Sequence, residues 1–145
     1  MDGSDYHFLS PEEFFAHRDR GEFLEFKEVF GRGHWYGTLK SEVTTGLNAG
    51  KWVLLEIDVE GMVSALESYP DAITIFIRPD SLGELERRLR QRGTDSEESI
   101  QRRLEVARAE LDSSPRYRHQ VVNNTVEQAV QEINQILASY TNPKR

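Results

Sequence analysis

Arg88, Arg92 and Arg103 are the side chains that most plainly could do chemistry, because they surround a Gly-Thr step, Gly93-Thr94, between two helical patterns. Arg88 and Arg92 are four residues apart and so share one helix face. Gly93 ends the first helix, and Thr94 with Glu97 three residues later reads as a capping box that restarts a second helix carrying Arg103. Two helices hinged at a glycine can close like a lid. A guanidinium donates bidentately to phosphate oxygens and keeps its charge at any relevant pH, so three of them suggest a polyphosphate. On spacing alone the commoner reading is a solvated face, since helices this rich in Arg and Glu usually carry i,i+4 ion pairs at the surface.

The elements that must position these side chains alternate between strand and helix patterns. Ser10-Pro11-Glu12-Glu13 combines an N-cap, a proline at the first helical position and a capping-box glutamate, and Gly21 stops that helix. Residues 23–30 read as an aromatic-rich strand, 31–33 as a turn, and 39–47 as a helix broken by Gly50-Lys51. The apolar run 52–58 is expected to be a strand buried on both faces of a parallel sheet, and 73–77 repeats the pattern. A short run at 120–122 precedes an amphipathic helix, 126–137, with Val126, Ala129, Val130, Ile133 and Leu137 at helical spacing. The expected class is α/β with a parallel sheet. Ligands of such sheets gather beyond the carboxyl ends of the strands, which makes Asp58, Arg78 and Asn123 candidates. An Asp in that position is also an ordinary helix cap.

Composition narrows the partners. The 145 residues carry 18 basic and 25 acidic side chains, a net charge of −7, so the surface as a whole repels nucleic acid and anionic membranes. A small anion held by local charges remains open. There is no cysteine, hence neither a disulfide framework nor a thiolate metal site, and His7, His17, His34 and His119 lack metal spacing and are expected to be solvated. With no long apolar run and no signal peptide, a cytoplasmic protein without membrane contact is the expectation.

The order of segments Asp5-Tyr6-His7-Phe8, Gly21-Glu22-Phe23-Leu24-Glu25-Phe26, Trp35-Tyr36-Gly37-Thr38, Leu54-Leu55-Glu56-Ile57-Asp58 with Gly61, and Arg92-Gly93-Thr94 with Ser96-Glu97-Glu98 resembles guanylate kinase along essentially the whole chain. The resemblance implies a P-loop NTPase-like α/β fold with a parallel sheet and helices on both faces. It divides the chain into a GMP-binding region (about 2–50), a core (51–83), a lid region (84–112) and a C-terminal core (113–140). The implied reaction moves a phosphoryl group from ATP to GMP or dGMP, with Mg²⁺ bridging the phosphates. Tyr6, Glu25, Tyr36, Thr38 and Asp58 match the family's GMP-binding positions. Arg88, Arg92 and Arg103 match its lid arginines, with Arg92 and Asn123 on the ATP side. Guanine suits such a set, because its N1–H and 2-amino group donate to carboxylates whereas adenine N1 is an acceptor.

The departure is at the front, where the family's glycine-rich phosphate loop and first strand have no counterpart, so Mg²⁺ ligands other than nucleotide and water would have to come from that missing segment. The expectation is that Met1 is a mis-assigned start within a longer gene. A chain real as written would instead be a catalytically inactive binding module for GMP or a phosphopeptide, or a gene fragment. Its exposed apolar edges would leave it marginal or prone to self-association. Phe26, Trp35 and Glu60 are smaller departures from the usual Trp, Tyr and Gln.

Overall fold

A computed structural model of the chain describes residues 7–29 and 33–141. Two compact units divide it, Met1–Ala72 and Ile73–Arg145.

In the first unit, helix α1 (Pro11–Asp19) starts where the sequence places it. The Ser10 side chain accepts from the Glu13 N–H, the Glu13 carboxylate accepts from the Ser10 N–H, and Pro11 occupies the first turn. Strands β1 (Phe23–Val29) and β2 (His34–Leu39) then pair antiparallel, with Glu25 opposite Thr38, Lys27 opposite Tyr36, and a register irregularity between Phe23 and Glu25. Side chains alternate across a strand, so the pairing sorts the hairpin into two faces. Glu25, Lys27, Tyr36 and Thr38 share one. Phe26 and Trp35 lie on the other, where they meet Phe14 of α1 with ring centroids 6.5 and 6.0 Å away. Phe23 stacks on the same Phe14 at 4.5 Å, and both of these rings are buried.

Helices α2 (Lys40–Asn48) and α3 (Val59–Ser68) follow. Leu24, Val43 and Ala65 form the small core between them and β1, with Val53, Leu55, Ile57 and Tyr69 packed against it. The segment 52–58 is therefore half-buried rather than covered on both sides, as the apolar run had suggested. Val53, Leu55 and Ile57 turn inward while Trp52 and Leu54 face out, Leu54 at 90% exposure. No described strand pairs with it, and an extended segment without a ladder partner is not a strand of a sheet.

In the second unit, β3 (Ile75–Arg78) and β4 (His119–Val122) pair in parallel, Ile75 to His119 through Arg78 to Val122. Among the described residues this is the parallel pairing of the α/β fold. The connection between the two strands is α4 (Leu82–Arg92), α5 (Glu97–Ser113) and a single 3₁₀ turn, Ser114–Arg116. Leu89, Ile100 and Leu104, all buried, join α4 to α5 with Leu85 alongside. Burying each such side chain is worth about 1.5–3 kcal/mol, which is what keeps two strongly charged helices together. Gly93 caps α4 in the left-handed conformation, φ 66°, as its position predicts. The N-cap of α5, however, is Ser96, whose hydroxyl accepts from the Ser99 N–H; the cap falls two residues later than the Thr94–Glu97 pattern implied. Helix α6 (Val126–Thr141) ends the described chain, turning Ala129, Ile133 and Leu137 inward while Val126 and Val130 stay exposed.

Gly37 is where the hairpin admits no side chain. A Cβ there would come within 2.6 Å of the Glu25 carbonyl oxygen and 2.9 Å of Phe26 Cβ. Gly37→Ala is expected to lower stability by about 1–3 kcal/mol through backbone displacement, read as a shift in the urea midpoint at unchanged m-value.

Candidate functional site

The polar face of the β1–β2 hairpin carries the first group of site residues. Glu25 is a carboxylate at 5% exposure, and an ionised group is stable there only if its oxygens are bonded. One oxygen is, by the Thr38 hydroxyl at 2.6 Å. The second, Oε2, faces Gly61: a Cβ on Gly61 would lie 3.3 Å from it and 3.3 Å from Asp58 Oδ1. A bare glycine thus lets two carboxylates approach one point of space.

Asp58 reaches that point as the N-cap of α3. Its Oδ1 accepts from the Gly61 N–H at 2.8 Å, and its Oδ2 accepts from the Lys27 ammonium. Lys27 also meets Glu60 at 3.1 Å. Burial pushes the Asp58 carboxyl up, but Lys27 and the Gly61 N–H outweigh it and leave the group below its ordinary value. The Lys27 ammonium is correspondingly held above its usual range, chiefly by its hydrogen bond to Asp58. Tyr36, opposite Lys27, has its phenol raised by burial and then by the negative charges of Asp58 and Glu25. Asp58 is therefore the helix cap that its position allowed, and it lies in an acidic cluster with Glu25 and Glu60 around Lys27. Of the residues picked from the sequence, Glu25, Tyr36, Thr38 and Asp58 come together, while Tyr6 lies outside the described residues.

Lys27 was not among the residues the sequence singled out. Its signal was there: two residues from Glu25 on a strand places both side chains on one face. What the sequence could not show was the approach of α3, which delivers Asp58 and Glu60 to that ammonium.

The second group gathers at the carboxyl ends of β3 and β4. The Asn123 N–H donates to the Arg78 carbonyl at 2.8 Å, extending the parallel ladder. Arg88 reaches over from α4, donating to the carbonyls of Asn123 at 3.1 Å and Asn124 at 3.3 Å and to the Glu84 carboxylate at 2.9 Å. Arg103 lies 3.5 Å from Asp95, in the α4–α5 connection. Arg92 is exposed and makes no hydrogen bond or ion pair with the described residues. Of the three arginines it is the one whose donors are all available to an incoming anion.

The surface-helix reading also has its share. Arg87 pairs with Glu84, and Arg90 with Glu86 and Glu97, on the outer faces of α4 and α5. These pairs are structural. His17 is held in a hydrogen bond with Glu22, beside Arg20, and His119 contacts the Tyr140 hydroxyl at 2.8 Å, so neither is simply solvated. Among the described residues no group of three or more His, Asp or Glu side chains is arranged to hold a metal ion, and no helix is long and apolar enough to cross a membrane.

The guanylate kinase family model matches residues 1–140. The chain belongs to the guanylate kinase family. It is 54% identical over 136 residues to the guanylate kinase of Rhodopirellula baltica, covering 93% of this chain and 65% of that protein. It is 49% identical over 129 residues to that of Chromobacterium violaceum, covering 89% and 60%. The crystal structure of guanylate kinase from Anaplasma phagocytophilum superposes with a TM-score of 0.74 at 30% identity, over 97% of this chain and 67% of that one. The α/β reading of the fold agrees with that superposition. The chain spans about 60–65% of the length of the first two relatives.

The ion pairs of α4 and α5 set a pH dependence. Hydrogen bonds from Arg87 and Arg88 hold the Glu84 carboxyl at about 2, and those from Arg90 and Gln101 hold Glu97 at about 2, against an ordinary 4.5. A depressed carboxyl stabilises the folded state above its unfolded value and loses that contribution as pH falls through the folded one. Side-chain carboxyl NMR titration is expected to give midpoints for Glu84 and Glu97 below the ordinary 4.5, with 1 M salt moving them back toward it.

Proposed function

We propose that the protein is a guanylate kinase, transferring the γ-phosphoryl group of ATP to GMP or dGMP to give ADP and GDP or dGDP. The observation that carries this reading is the convergence of Glu25 and Asp58 beside Gly61, two acceptor groups with no described cation on Glu25. Guanine presents its N1–H and 2-amino group along one edge, so paired carboxylates accept from both, and adenine would set its N1 lone pair against them. The Thr38 hydroxyl has a single proton, given to Glu25 in this structure, and it would turn from that carboxylate to donate to the guanine O6. Tyr36, and Tyr6 by sequence, supply hydroxyls for the GMP phosphate.

The phosphates fall to the arginines of the second unit. Among the described residues, the Arg92 side chain has no partner, Arg88 is fixed at the ends of β3 and β4 close to Asn123, and Arg103 has one partner to leave, Asp95 at 3.5 Å. Guanidinium groups at these positions neutralise charge that builds on the transferring group, and Asn123 contributes on the ATP side. ATP fits this donor set. Mg²⁺ would supply compensation of phosphate charge, and among the described residues no cluster of His, Asp or Glu side chains is arranged to hold it. The substrates are soluble nucleotides, in keeping with a cytoplasmic enzyme.

The test is ADP formation in a coupled assay on the full-length protein, with GMP and AMP as alternative acceptors. Turnover with GMP and little with AMP is expected; no GMP-dependent ADP formation would reject the reading. Glu25→Gln is expected to lower kcat/KM for GMP by about 10- to 100-fold, the worth of a hydrogen bond to a charged group. Because the Arg92 side chain has no partner to lose among the described residues, Arg92→Ala should leave the thermal midpoint unchanged while lowering kcat by about 10³-fold.

A further inference from the structure

Among the described residues, the cluster around Glu25 and Asp58 holds one cation. Glu25, Asp58 and Glu60 contribute three carboxylates and Tyr36 a phenol, and Lys27 is the ammonium among them, bonded to Asp58 Oδ2 and 3.1 Å from Glu60. Its position is built in by register. Lys27 pairs with Tyr36 and Glu25 with Thr38, so the ammonium stands two residues along the same face of the hairpin from the buried carboxylate. From there it meets the first turn of α3, where the Gly61 N–H already holds Asp58 Oδ1.

We propose that Lys27 is a positioning residue for guanine recognition, fixing the Asp58 carboxylate as an ionised, oriented acceptor for an N–H of the base. This role rests on the guanylate kinase reading and adds a residue to that site. Two bonds, one to each oxygen, set both the tilt and the rotation of the carboxylate about its Cβ–Cγ bond. Each oxygen has a second lone pair, so Oδ2 can accept from the base while Lys27 stays in place. The ammonium also offsets the repulsion among the three carboxylates, which otherwise favours protonating one of them. A protonated Asp58 would present a donor toward the donor edge of guanine and lose the contact. The Lys27 side chain is partly exposed and its ammonium is taken up by Asp58 and Glu60, so the proposed action on the base runs through Asp58.

The experiment is GMP binding by calorimetry between pH 5.5 and 8 on the full-length protein and on Lys27→Met, Lys27→Arg, Asp58→Asn and the Lys27→Met/Asp58→Asn double variant. Lys27→Met is expected to weaken GMP about tenfold at pH 7, the loss growing toward pH 5.5, with Lys27→Arg restoring most of it. Binding of IMP, which lacks the 2-amino donor, should fall less, so the preference for GMP over IMP narrows. In the Asp58→Asn background Lys27→Met should have no further effect. GMP binding by Lys27→Met equal to or tighter than that of the wild type across the pH range overturns the role, as does an equal loss with and without Asp58. Failure of the wild-type protein to bind GMP overturns the guanylate kinase reading itself and this role with it, an outcome distinct from a wild type that binds and a Lys27→Met that binds equally well.

Discussion

A carboxylate buried at Glu25 is the constraint around which the first unit is arranged. Taking an ionised group out of water is costly unless its oxygens find donors, and the paired strand offers one directly opposite Glu25. Thr38 supplies it, and can do so only at the register that sets the two side by side. That register needs Gly37 next to Thr38, since any Cβ there would strike the Glu25 carbonyl. The same pairing puts Phe26 and Trp35 on the opposite face with Phe14, so the aromatic packing of α1 and the polar bond of Glu25 support one alignment of the strands.

Helix α3 completes the cluster for a reason of its own. Its first turn leaves N–H groups unsatisfied, and Asp58 meets the one on Gly61. The cap therefore carries a negative charge to the hairpin face at no extra structural cost, and Lys27 is there to receive it. In the proposed function, helix capping and ligand recognition would draw on different lone pairs of the same carboxylate, so a residue that looks ordinary by position could serve both.

The second unit solves a different problem. Helices α4 and α5 are dense in charge, and most of that charge is absorbed by i,i+3 and i,i+4 pairs and by Arg90 bridging to Glu97. Exposed pairs of this kind contribute little stability each, so the α4–α5 contact depends on Leu85, Leu89, Ile100 and Leu104. Ion pairing instead sorts the arginines. Arg87 and Arg90 are committed to the helix surface, Arg88 is drawn to the ends of the parallel strands, and the Arg92 side chain has no partner among the described residues.

Much of this was legible in the chain. Local rules located the α1 capping box, the Gly93 terminus of α4, the short strands β3 and β4 and the last helix, because caps, breakers and periodicity act within a few residues. Segment order identified the family, and with it Glu25, Tyr36, Thr38 and Asp58 as one set. The rest depended on contacts between residues distant in sequence. The segment 52–58 reads as a two-sided strand by composition, yet a strand also requires a ladder partner, and burial on one face follows from what packs against it. Ser96 displaced Thr94 as the α5 cap by the backbone path after Gly93. Lys27 acquired its meaning 31 residues away, at Asp58. Sequence by itself determined which side chains could take part, because residue type and local spacing set face and cap. Tertiary structure decided which of them share an atom, because that depends on how a hairpin and a helix terminus meet in space.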